Sequence, residues 1–511
     1  MVHLTAWYER NKKMLVFALA CTFLWGLAAH GYCFLDNNVS HDSLREFHAA
    51  ILGNGVKVGS GRFLTPIYRD LLGTDVTLPW LIGLLSLLWL GITVFFILKL
   101  FHVESKPLAC LIAGILTTNI AVSSTAATYI HDLDSYCFAV MCATGAVLLW
   151  QRYDKGWLLG AIPLVITLGI YQSYLFVAVT LVAMVCILDL LEGKSFSQVF
   201  QNGVKAVAMT ALGAMLYFLT LRGYLALTGK NLVTGDYNSM DLIGKLSLSD
   251  IPKLIVEAYS QTLYRIWNAY SSYPGILVKA ATVLLLLAGI WALLAGMKKM
   301  GCKERILCIL MVALLPLLMN FIYVITSGYT HDLMSWPTWL FYVLILLMCR
   351  RLNWQQVVCM VLVAGLLYGN VQFANGMYMK KDLEYDAYLS LMTRVSDRME
   401  TYEGYVIGQT PVVLAGIPWE GPARNRVIPG FKDYWNVTGM MKTDVVFAGG
   451  PSYYQAYFDY VLGTPILLAE ASLWRDIEKS DFVKQLPCFP DRDCIAMYDG
   501  ILVVKLGEYE E

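Results

Sequence analysis

The sequence has little charge for its length. Of its 511 residues only 15% are Asp, Glu, Lys or Arg, whereas 58% are apolar. Soluble proteins carry about 25% charged residues, and a soluble chain of this length divides into domains that each need a polar surface. The mean hydropathy of +0.57 agrees with the composition. These values exclude a soluble globular protein and predict an integral membrane protein.

Several signatures of chemistry are also missing. The 38 basic and 38 acidic residues cancel, so no net field favours a nucleic-acid partner. There is no Walker A loop, no G-x-G-x-x-G and no H-E-x-x-H, which excludes the common nucleotide-binding and zincin motifs. The seven histidines show no fixed metal-ligand spacing. We therefore expect no cofactor, although a divalent metal held by His and Asp stays open.

Long apolar runs dominate what remains. A helix that crosses a membrane needs about 20 mostly apolar residues. Eleven such stretches predict an all-α polytopic membrane fold, several of them short: 14–34, 79–98, 107–129, 136–150, 157–170, 175–191, 206–228, 275–297, 306–327, 336–349 and 355–377. The fifth and sixth are separated only by Tyr171-Gln172-Ser173-Tyr174, which predicts two short helices joined by a tight turn.

Lysine and arginine indicate the orientation. With the N-terminus inside, the short inner segments are more than threefold richer in these residues than the outer ones. This predicts a multi-pass protein of the bacterial cell (inner) membrane, with a cytoplasmic N-terminus and an extracytoplasmic C-terminus. A transmembrane domain then covers 1–377 with long outer loops at 35–78 and 230–273, and 378–511 forms an outer domain.

The outer domain has ordinary charge density and alternating apolar runs. Helix-like residues 383–402 and short β-rich runs predict a small α/β domain, the runs being 405–407, 411–414, 445–447 and 501–504. Cys488 and Cys494 are close in sequence and lie outside the cytoplasm by this topology. We expect a disulfide between them, because two cysteines without further ligands make a poor metal site.

The first outer loop carries the best candidates for a catalytic carboxylate. Asp36 follows the first span directly, and Asp42 precedes Arg45 by three residues, so that both would share one face of a helix. A carboxylate there can act as a general base. The alternative is a capped interfacial helix, in which Ser40 or Asp42 merely closes the N-terminus.

Arginines in the same loop suggest an anionic ligand. Arg62 and Arg69 are seven residues apart on a predicted interfacial helix whose apolar stripe includes Phe63, Ile67 and Leu71. Such arginines often only extend toward the headgroups. They nevertheless oppose the positive-inside trend, and guanidinium groups bind phosphate well. The pattern favours a lipid phosphate at the outer surface.

Three His-Asp pairs fall in predicted outer segments. The first outer loop, the turn between the third and fourth spans and the turn between the ninth and tenth each carry one: His41-Asp42, His131-Asp132 followed by Asp134, and His331-Asp332. Turns are polar in any case, but ionisable groups beside a membrane are costly unless they are used. We expect these residues to line one outward cavity. Arg265, on a second predicted interfacial helix, is a further candidate for binding phosphate.

These motifs resemble a known family. The residues from Asp36 to Arg45, the run Gly61-Arg62-Phe63, the run from His131 to Asp134 and the run from Gly169 to Tyr174 are similar to those of bacterial and phage serotype-converting glucosyltransferases, which decorate O-antigen and related surface glycans. That family belongs to the GT-C superfamily of membrane glycosyltransferases. The likeness covers about the first 200 residues by motif and the remainder by layout.

The resemblance implies an enzyme, a polyprenyl-phosphate-sugar-dependent hexosyltransferase. Its donor would be a polyprenyl-phosphate sugar, typically glucose, its acceptor a surface glycan, and its base a first-loop carboxylate: Asp42, or else Asp36. The substrate-binding residues that lie in the matching motifs are Arg45, Arg62, His131, Asp132, Asp134, Tyr171 and Gln172. The outer-loop pattern alone adds Arg69, Arg265, His331 and Asp332. A flippase for lipid-linked sugars and a membrane O-acyltransferase stay as alternatives.

Overall fold

The computed structural model describes most of the chain. The described residues are 2–36, 40, 43–44, 53–74, 76–234, 247, 249–267, 275–350, 353–416 and 451–508. Asp42 and Arg45 lie outside them, as does the strand predicted at 445–447. Helices account for nearly all of the described chain as far as residue 400.

Sixteen helices precede the first strand within the described residues. In chain order α1 to α16 are Val2–Leu35, Gly53–Gly59, Leu64–Leu72, Pro79–Leu100, Lys106–Thr118, Ile120–Thr128, Leu133–Arg152, Gly156–Ile170, Leu175–Leu191, Phe196–Thr228, Ile251–Trp267, Ile276–Met297, Cys302–Met319, Phe321–Ile325, Trp336–Cys349 and Asn353–Glu400. Short 3₁₀ turns at Ile130–Asp132, Gln172–Tyr174 and Asp332–Ser335 join consecutive helices.

Nine segments of the described chain are long and apolar enough to cross a membrane. They coincide with nine of the eleven predicted spans, which confirms an all-α polytopic membrane protein. The other two predicted spans are helical, but neither is both long and apolar enough to be counted. Helix α8 (Gly156–Ile170) is shorter, and the first turn of α13 (Cys302–Met319) contains three charged residues. The predicted turn between α8 and α9 is confirmed, because α8 ends at Ile170 and α9 begins at Leu175.

The first two spans pack closely because glycines line their interface. A Cβ atom added at Gly26 would lie 2.1 Å from a Leu87 side-chain carbon, and one added at Gly83 would lie 2.5 Å from Phe34. Helices in lipid gain little from hydrophobic burial and associate instead through close van der Waals contact at small residues. These glycines therefore fix α1 against α4.

The third predicted span, 107–129, is two helices broken at Asn119. The Asn119 side chain accepts hydrogen bonds from the amides of Ala121 and Val122, and its amide nitrogen donates to the carbonyls of Ile115 and Leu116. One side chain thus satisfies backbone groups on both sides of the break, which a membrane interior requires. The second piece, α6, leads directly into the Ile130–Asp132 turn.

Two helices of the outer loops are present where the sequence predicts them. Helix α3 (Leu64–Leu72) buries Tyr68 and Arg69, while Ile67 and Leu71 are exposed. Its polar face therefore points into the protein, and its apolar face points outward. Helix α11 (Ile251–Trp267) packs on α13 and α14.

The last helix of the transmembrane part continues into the C-terminal part without a break. Helix α16 contributes Tyr378 to the main hydrophobic core and Tyr388 to a second core formed with the strands. Leu44 from the first outer loop is fully buried in this second core. The first outer loop therefore packs against the C-terminal part.

The C-terminal part contains a four-stranded mixed sheet. In chain order the elements after α16 are β1 (Pro411–Ala415), α17 (Pro451–Tyr457), β2 (Leu467–Leu468), α18 (Ala471–Glu478), α19 (Asp481–Gln485), β3 (Ile495–Tyr498) and β4 (Ile501–Lys505). The strand order is β2-β1-β4-β3. Strand β1 is parallel to β2 and β4, and β3 is antiparallel to β4. Strands predicted at 411–414 and 501–504 are confirmed.

Two details of the C-terminal prediction are wrong. Residues 405–407 form no strand, because the loop closes on itself through the Gln409 amide, which donates to the Val406 carbonyl. Cys488 and Cys494 are free thiols. The Cys488 sulfur lies 3.3 Å from Glu508 Oε1, and the Cys494 sulfur lies 3.5 Å from an Arg398 nitrogen, so the two thiols face different partners.

Candidate active site

A buried ionic cluster lies at the end of the helices where α6 turns into α7. Asp132 closes the Ile130–Asp132 turn and has no exposed surface. Its Oδ1 accepts a hydrogen bond from Arg69 Nη2 at 2.6 Å, and its Oδ2 accepts one from Lys57 Nζ. His131 Nε2 lies 3.6 Å from the same Oδ2. We call these four residues the Asp132 cluster.

The Asp132 cluster can be buried because its opposite charges are paired. Isolated charges are expensive inside a protein, whereas a pair with good geometry and further hydrogen bonds is tolerated. Lys57 and Arg69 come from α2 and α3, two helices of the first outer loop, and both contact one carboxylate at the start of α7. The ion pairs therefore hold the outer loop against the transmembrane helices. Two cations and one carboxylate give these three side chains a net positive charge.

Asp134 is held by a separate set of hydrogen bonds. Its Oδ1 accepts from the amide of Ser135 at 2.8 Å, and its Oδ2 accepts from the Tyr68 hydroxyl at 3.2 Å. Trp89 Nε1 donates to the Tyr68 oxygen at 2.8 Å. Since an indole nitrogen can only donate, the proton of Tyr68 is directed to Asp134. Burial and the nearby Asp134 carboxylate raise the pKa of Tyr68, so this hydroxyl keeps its proton.

Arg62 lies beside an aromatic group next to the cluster. Its guanidinium carbon is 4.5 Å from the centroid of the Tyr171 ring, and its Nη1 lies 3.4 Å from the Tyr136 hydroxyl. The rings of Tyr136 and Tyr171 are stacked at 4.6 Å, and Tyr174 meets Tyr136 edge-on at 5.8 Å. A guanidinium over an aromatic face is favourable and remains able to bind an anion through its edge.

Gln172 ties the turn between α8 and α9 to the first outer loop. Its Nε2 donates to the Ser60 carbonyl at 2.9 Å and to the Tyr217 hydroxyl at 3.1 Å. The Tyr217 hydroxyl donates to the Gly61 carbonyl at 2.9 Å. These bonds fix the backbone that precedes Arg62.

A second ion pair lies in the turn before α15. Arg265 of α11 donates through Nη1 to Asp332 Oδ1 at 2.8 Å. The neighbouring His331 is hydrogen-bonded to the Tyr329 hydroxyl at 2.8 Å. The Tyr174 hydroxyl donates to the carbonyl of Leu333 at 3.3 Å. The tyrosines beside Arg62 therefore contact the turn that contains Asp332.

The two predicted first-loop bases are placed differently. Asp36 directly follows α1, is half-buried and interacts electrostatically with the buried Lys381 of α16. Tyr32, one turn earlier, donates to Asp382 of the same helix at 2.5 Å. Asp42 lies outside the described residues, between Ser40 and Ser43. Ser40 is buried and donates to the carbonyl of Thr128, one residue before the segment that leads to the Asp132 cluster.

The structure therefore brings together most of the predicted residues that it describes. Arg69, His131 and Asp132 share one cluster, with Asp134 adjoining it through the same two helices. The structure also adds residues that the sequence did not single out: Lys57, Tyr68, Trp89 and Tyr136. Only Lys57 gave a sequence signal, as a lysine in an outer loop. In the described part of the chain, no group of three or more His, Cys, Asp and Glu side chains is arranged to hold a metal ion.

Fold and site together define a multi-pass membrane protein in which the loop between the first two spans is held against the helices by buried ion pairs. The family described as "Glucosyl transferase GtrII" matches residues 31–348, and the chain therefore belongs to this family of glucosyltransferases. The matched region contains the first outer loop, the Asp132 cluster and the Arg265–Asp332 pair. No curated protein and no solved structure gives a significant match.

Proposed function

We propose that this glucosyltransferase moves glucose from a polyprenyl-phosphate donor to a cell-surface glycan, with inversion at the anomeric carbon. The observation that carries the proposal is the position of Arg62 and the Asp132 cluster: several cations converge where apolar helices end. The phosphate of a lipid anchored in the bilayer lies at that level. Membership of the glucosyltransferase family indicates glucose as the transferred sugar.

The reaction is a single displacement. A carboxylate takes the proton of an acceptor hydroxyl, and the oxygen bonds to the anomeric carbon of glucose. The bond from that carbon to the phosphate oxygen breaks, and its electron pair stays on the phosphate. General base catalysis contributes typically 10²–10⁴-fold. Cations near the leaving phosphate stabilise the charge that develops on it.

The first outer loop supplies the base in this mechanism. Asp42 takes the acceptor proton, because Arg45 follows it by one helical turn and His41 and Ser43 flank it. Asp36 is the alternative. Its half-buried position beside Lys381 suits a group that binds sugar hydroxyls.

The arginines bind the donor phosphate. Arg62 offers the edge of its guanidinium while its face rests on Tyr171. Arg45 and Arg69 complete the phosphate site, and Asp132 holds Arg69 in position through the buried ion pair. Asp134, His131, Tyr171 and Gln172 shape the donor pocket from α7 and the turn before α9.

The acceptor approaches from the side of the second ion pair. Arg265, His331 and Asp332 line this side. In this proposal residues 378–511 cover the outward cavity and help to select the glycan. In this proposal the reaction takes place on the extracytoplasmic face of a bacterial cell membrane and the N-terminus is cytoplasmic, which the distribution of Lys and Arg in the sequence supports. No metal is needed in this scheme, because a phosphate is already a good leaving group.

The two rival functions lack comparable support. A flippase for lipid-linked sugars would favour charged residues at mid-membrane depth; the one break described above, at Asn119, carries no charge, and the Asn119 side chain is hydrogen-bonded to backbone groups on both sides of it. A membrane O-acyltransferase would favour a histidine facing the reacting group; His30, the one buried histidine within a described span outside the cluster, is occupied by Tyr378 and the Thr117 carbonyl.

The test is transfer by the purified protein. Synthetic polyprenyl-phosphate glucose and the surface glycan of the source cells are incubated with the enzyme, with and without EDTA. We expect a hexose gain on the glycan by mass spectrometry in both conditions. An acetyl gain, or no covalent change with any lipid-linked sugar, would overturn the proposal. Loss of activity in EDTA would overturn only the metal-free scheme.

A further inference from the structure

An apolar groove opens on the membrane side of the helices. It has a volume of about 670 Å³ and lies between α9, α10 and α13. Val179, Cys186, Gly203, Val207, Ala214 and Met311 are among its walls. Among the described lining residues Thr210 carries the only hydroxyl, and it donates to the Ala206 carbonyl at 3.0 Å. The groove thus offers a hydrocarbon ligand an entirely apolar surface.

The groove exists because α10 packs on one face and stands open on the other. On the packed face, a Cβ atom added at Gly213 would lie 2.9 Å from Leu164 of α8. On the open face, a Cβ atom added at Gly203 meets nothing within 4 Å. Val207 on this face is 71% exposed. In a membrane that exposure is to lipid, so lipid chains have direct access.

The upper end of the groove leads to the site. Ala214, which lines the groove, also packs in the small core around Tyr217. Tyr217 lies one helical turn further along α10 and is hydrogen-bonded to Gln172 and to the Gly61 carbonyl, directly before Arg62. A phosphate bound at Arg62 would therefore have its lipid chain at the entrance of the groove.

The length of the groove distinguishes a polyprenyl chain from an ordinary acyl chain. Its walls on α10 extend from Val199 to Ala214, which at 1.5 Å per residue is about 22 Å. Half of the hydrocarbon core of a bilayer is about 15 Å. An acyl chain of one leaflet ends near the midplane, whereas a long polyprenyl chain anchored at the outer surface continues past it. The occupant must be longer than one leaflet to fill the groove.

We propose that this groove binds the polyprenyl chain of the sugar donor and so contributes to donor affinity. The proposal rests on the proposed function, since it assumes a lipid-phosphate donor. It adds a binding site of stated chemistry that extends along α10 to the opposite side of the bilayer from the reaction.

A pair of glycines on α10 provides a matched test. Gly203→Phe places a ring in the groove, and the open space at this position admits it. Gly223→Phe is the control, because a Cβ atom at Gly223 also meets nothing within 4 Å and this residue lies on the same helix outside the groove. Both changes replace a helical glycine and favour the helix to the same extent.

Glucose transfer is measured with two donors that differ only in chain length. Decaprenyl-phosphate glucose is long enough to fill the groove. Geranyl-phosphate glucose is too short to reach Gly203, which lies about 21 Å along the helix from Tyr217. We expect Gly203→Phe to raise KM at least tenfold for the long donor and to leave KM for the short donor unchanged. Gly223→Phe should match the wild type with both.

The outcomes separate this proposal from the proposed function. If the wild type transfers glucose from neither donor, the proposed function fails and the groove proposal fails with it. If the wild type is active and Gly203→Phe has the wild-type KM for the long donor, only the groove proposal is overturned. An equal rise in KM for both donors would show that the effect of Gly203→Phe does not depend on the lipid chain and would also overturn it.

Discussion

Arg69 Nη2 lies 2.6 Å from Asp132 Oδ1, and both side chains are almost completely buried. The arginine belongs to a helix of the first outer loop and the aspartate to the start of a membrane-spanning segment, 63 residues later in the chain. The neighbouring residue Tyr68 contacts Asp134. Consecutive residues of α3 thus bind the two carboxylates that begin α7, which fixes the position of Arg62 relative to the helices.

Removal of the Asp132 carboxylate should strongly destabilise the protein. Asp132→Asn removes the buried carboxylate that both Lys57 and Arg69 contact, and breaking a buried ion pair costs about 3–5 kcal/mol. We expect a clear fall in the midpoint of thermal unfolding in detergent. The control Asp154→Asn makes the same chemical change at an exposed position. Equal midpoints for the two variants would contradict the structural role of the ion pairs.

Tyr68→Phe should also destabilise the protein. The hydroxyl accepts from Trp89 and donates to Asp134, so its removal deprives two groups of a buried partner, at about 1–3 kcal/mol for each group left unsatisfied. Thermal unfolding measures the loss. Tyr153→Phe removes a hydroxyl from a half-exposed tyrosine and should be neutral. A neutral Tyr68→Phe would mean that water replaces the hydroxyl.

Arg62→Ala should weaken binding of the donor without unfolding the protein. A charge-assisted hydrogen bond contributes about 1.5–3 kcal/mol, which corresponds to at least a tenfold change in affinity. Binding of polyprenyl-phosphate glucose is measured alongside transfer. Arg305→Ala at the opposite end of the helices should leave donor affinity unchanged. The phosphate role fails if Arg62→Ala binds donor as the wild type does.

Asp42→Asn should abolish turnover while retaining donor binding. Loss of a general base typically lowers the rate by about 10²–10⁴-fold. We expect at least a hundredfold fall in kcat, and a smaller effect on kcat from Asp36→Asn. An inactive Asp36→Asn beside an active Asp42→Asn would reverse the assignment. If both variants stay active, a base in the first outer loop is excluded.

Cys488 and Cys494 should react as free thiols. Burial, together with the hydrogen bond to Glu508, raises the pKa of Cys488 to about 11, so its thiol is protonated near neutral pH and reacts slowly in the folded protein. After denaturation without reductant, a maleimide should label both residues, as seen by mass spectrometry. Labelling that appears only after reduction would show that the disulfide predicted from the sequence forms.

The fold class followed from the sequence because hydropathy is a local property. Each span can be recognised from about 20 consecutive residues, independently of the segments around it. The turn at Gln172 was also visible, since four polar or aromatic residues interrupt a 35-residue apolar run. The break at Asn119 was not, because a single asparagine inside an apolar stretch has no distinctive pattern until its hydrogen bonds are seen.

The residue types of the site were also readable from the sequence, but their partners were not. Arg69 attracted attention as an arginine in an outer loop, and the sequence assigned it to the surface. Only the tertiary structure decided that it is buried against Asp132, because that contact depends on how α3 packs on α7. The same holds for Tyr68 and Trp89, which carry no local signal of function. Sequence determined which segments enter the membrane, since burial of apolar surface is set residue by residue; packing decided which charges meet.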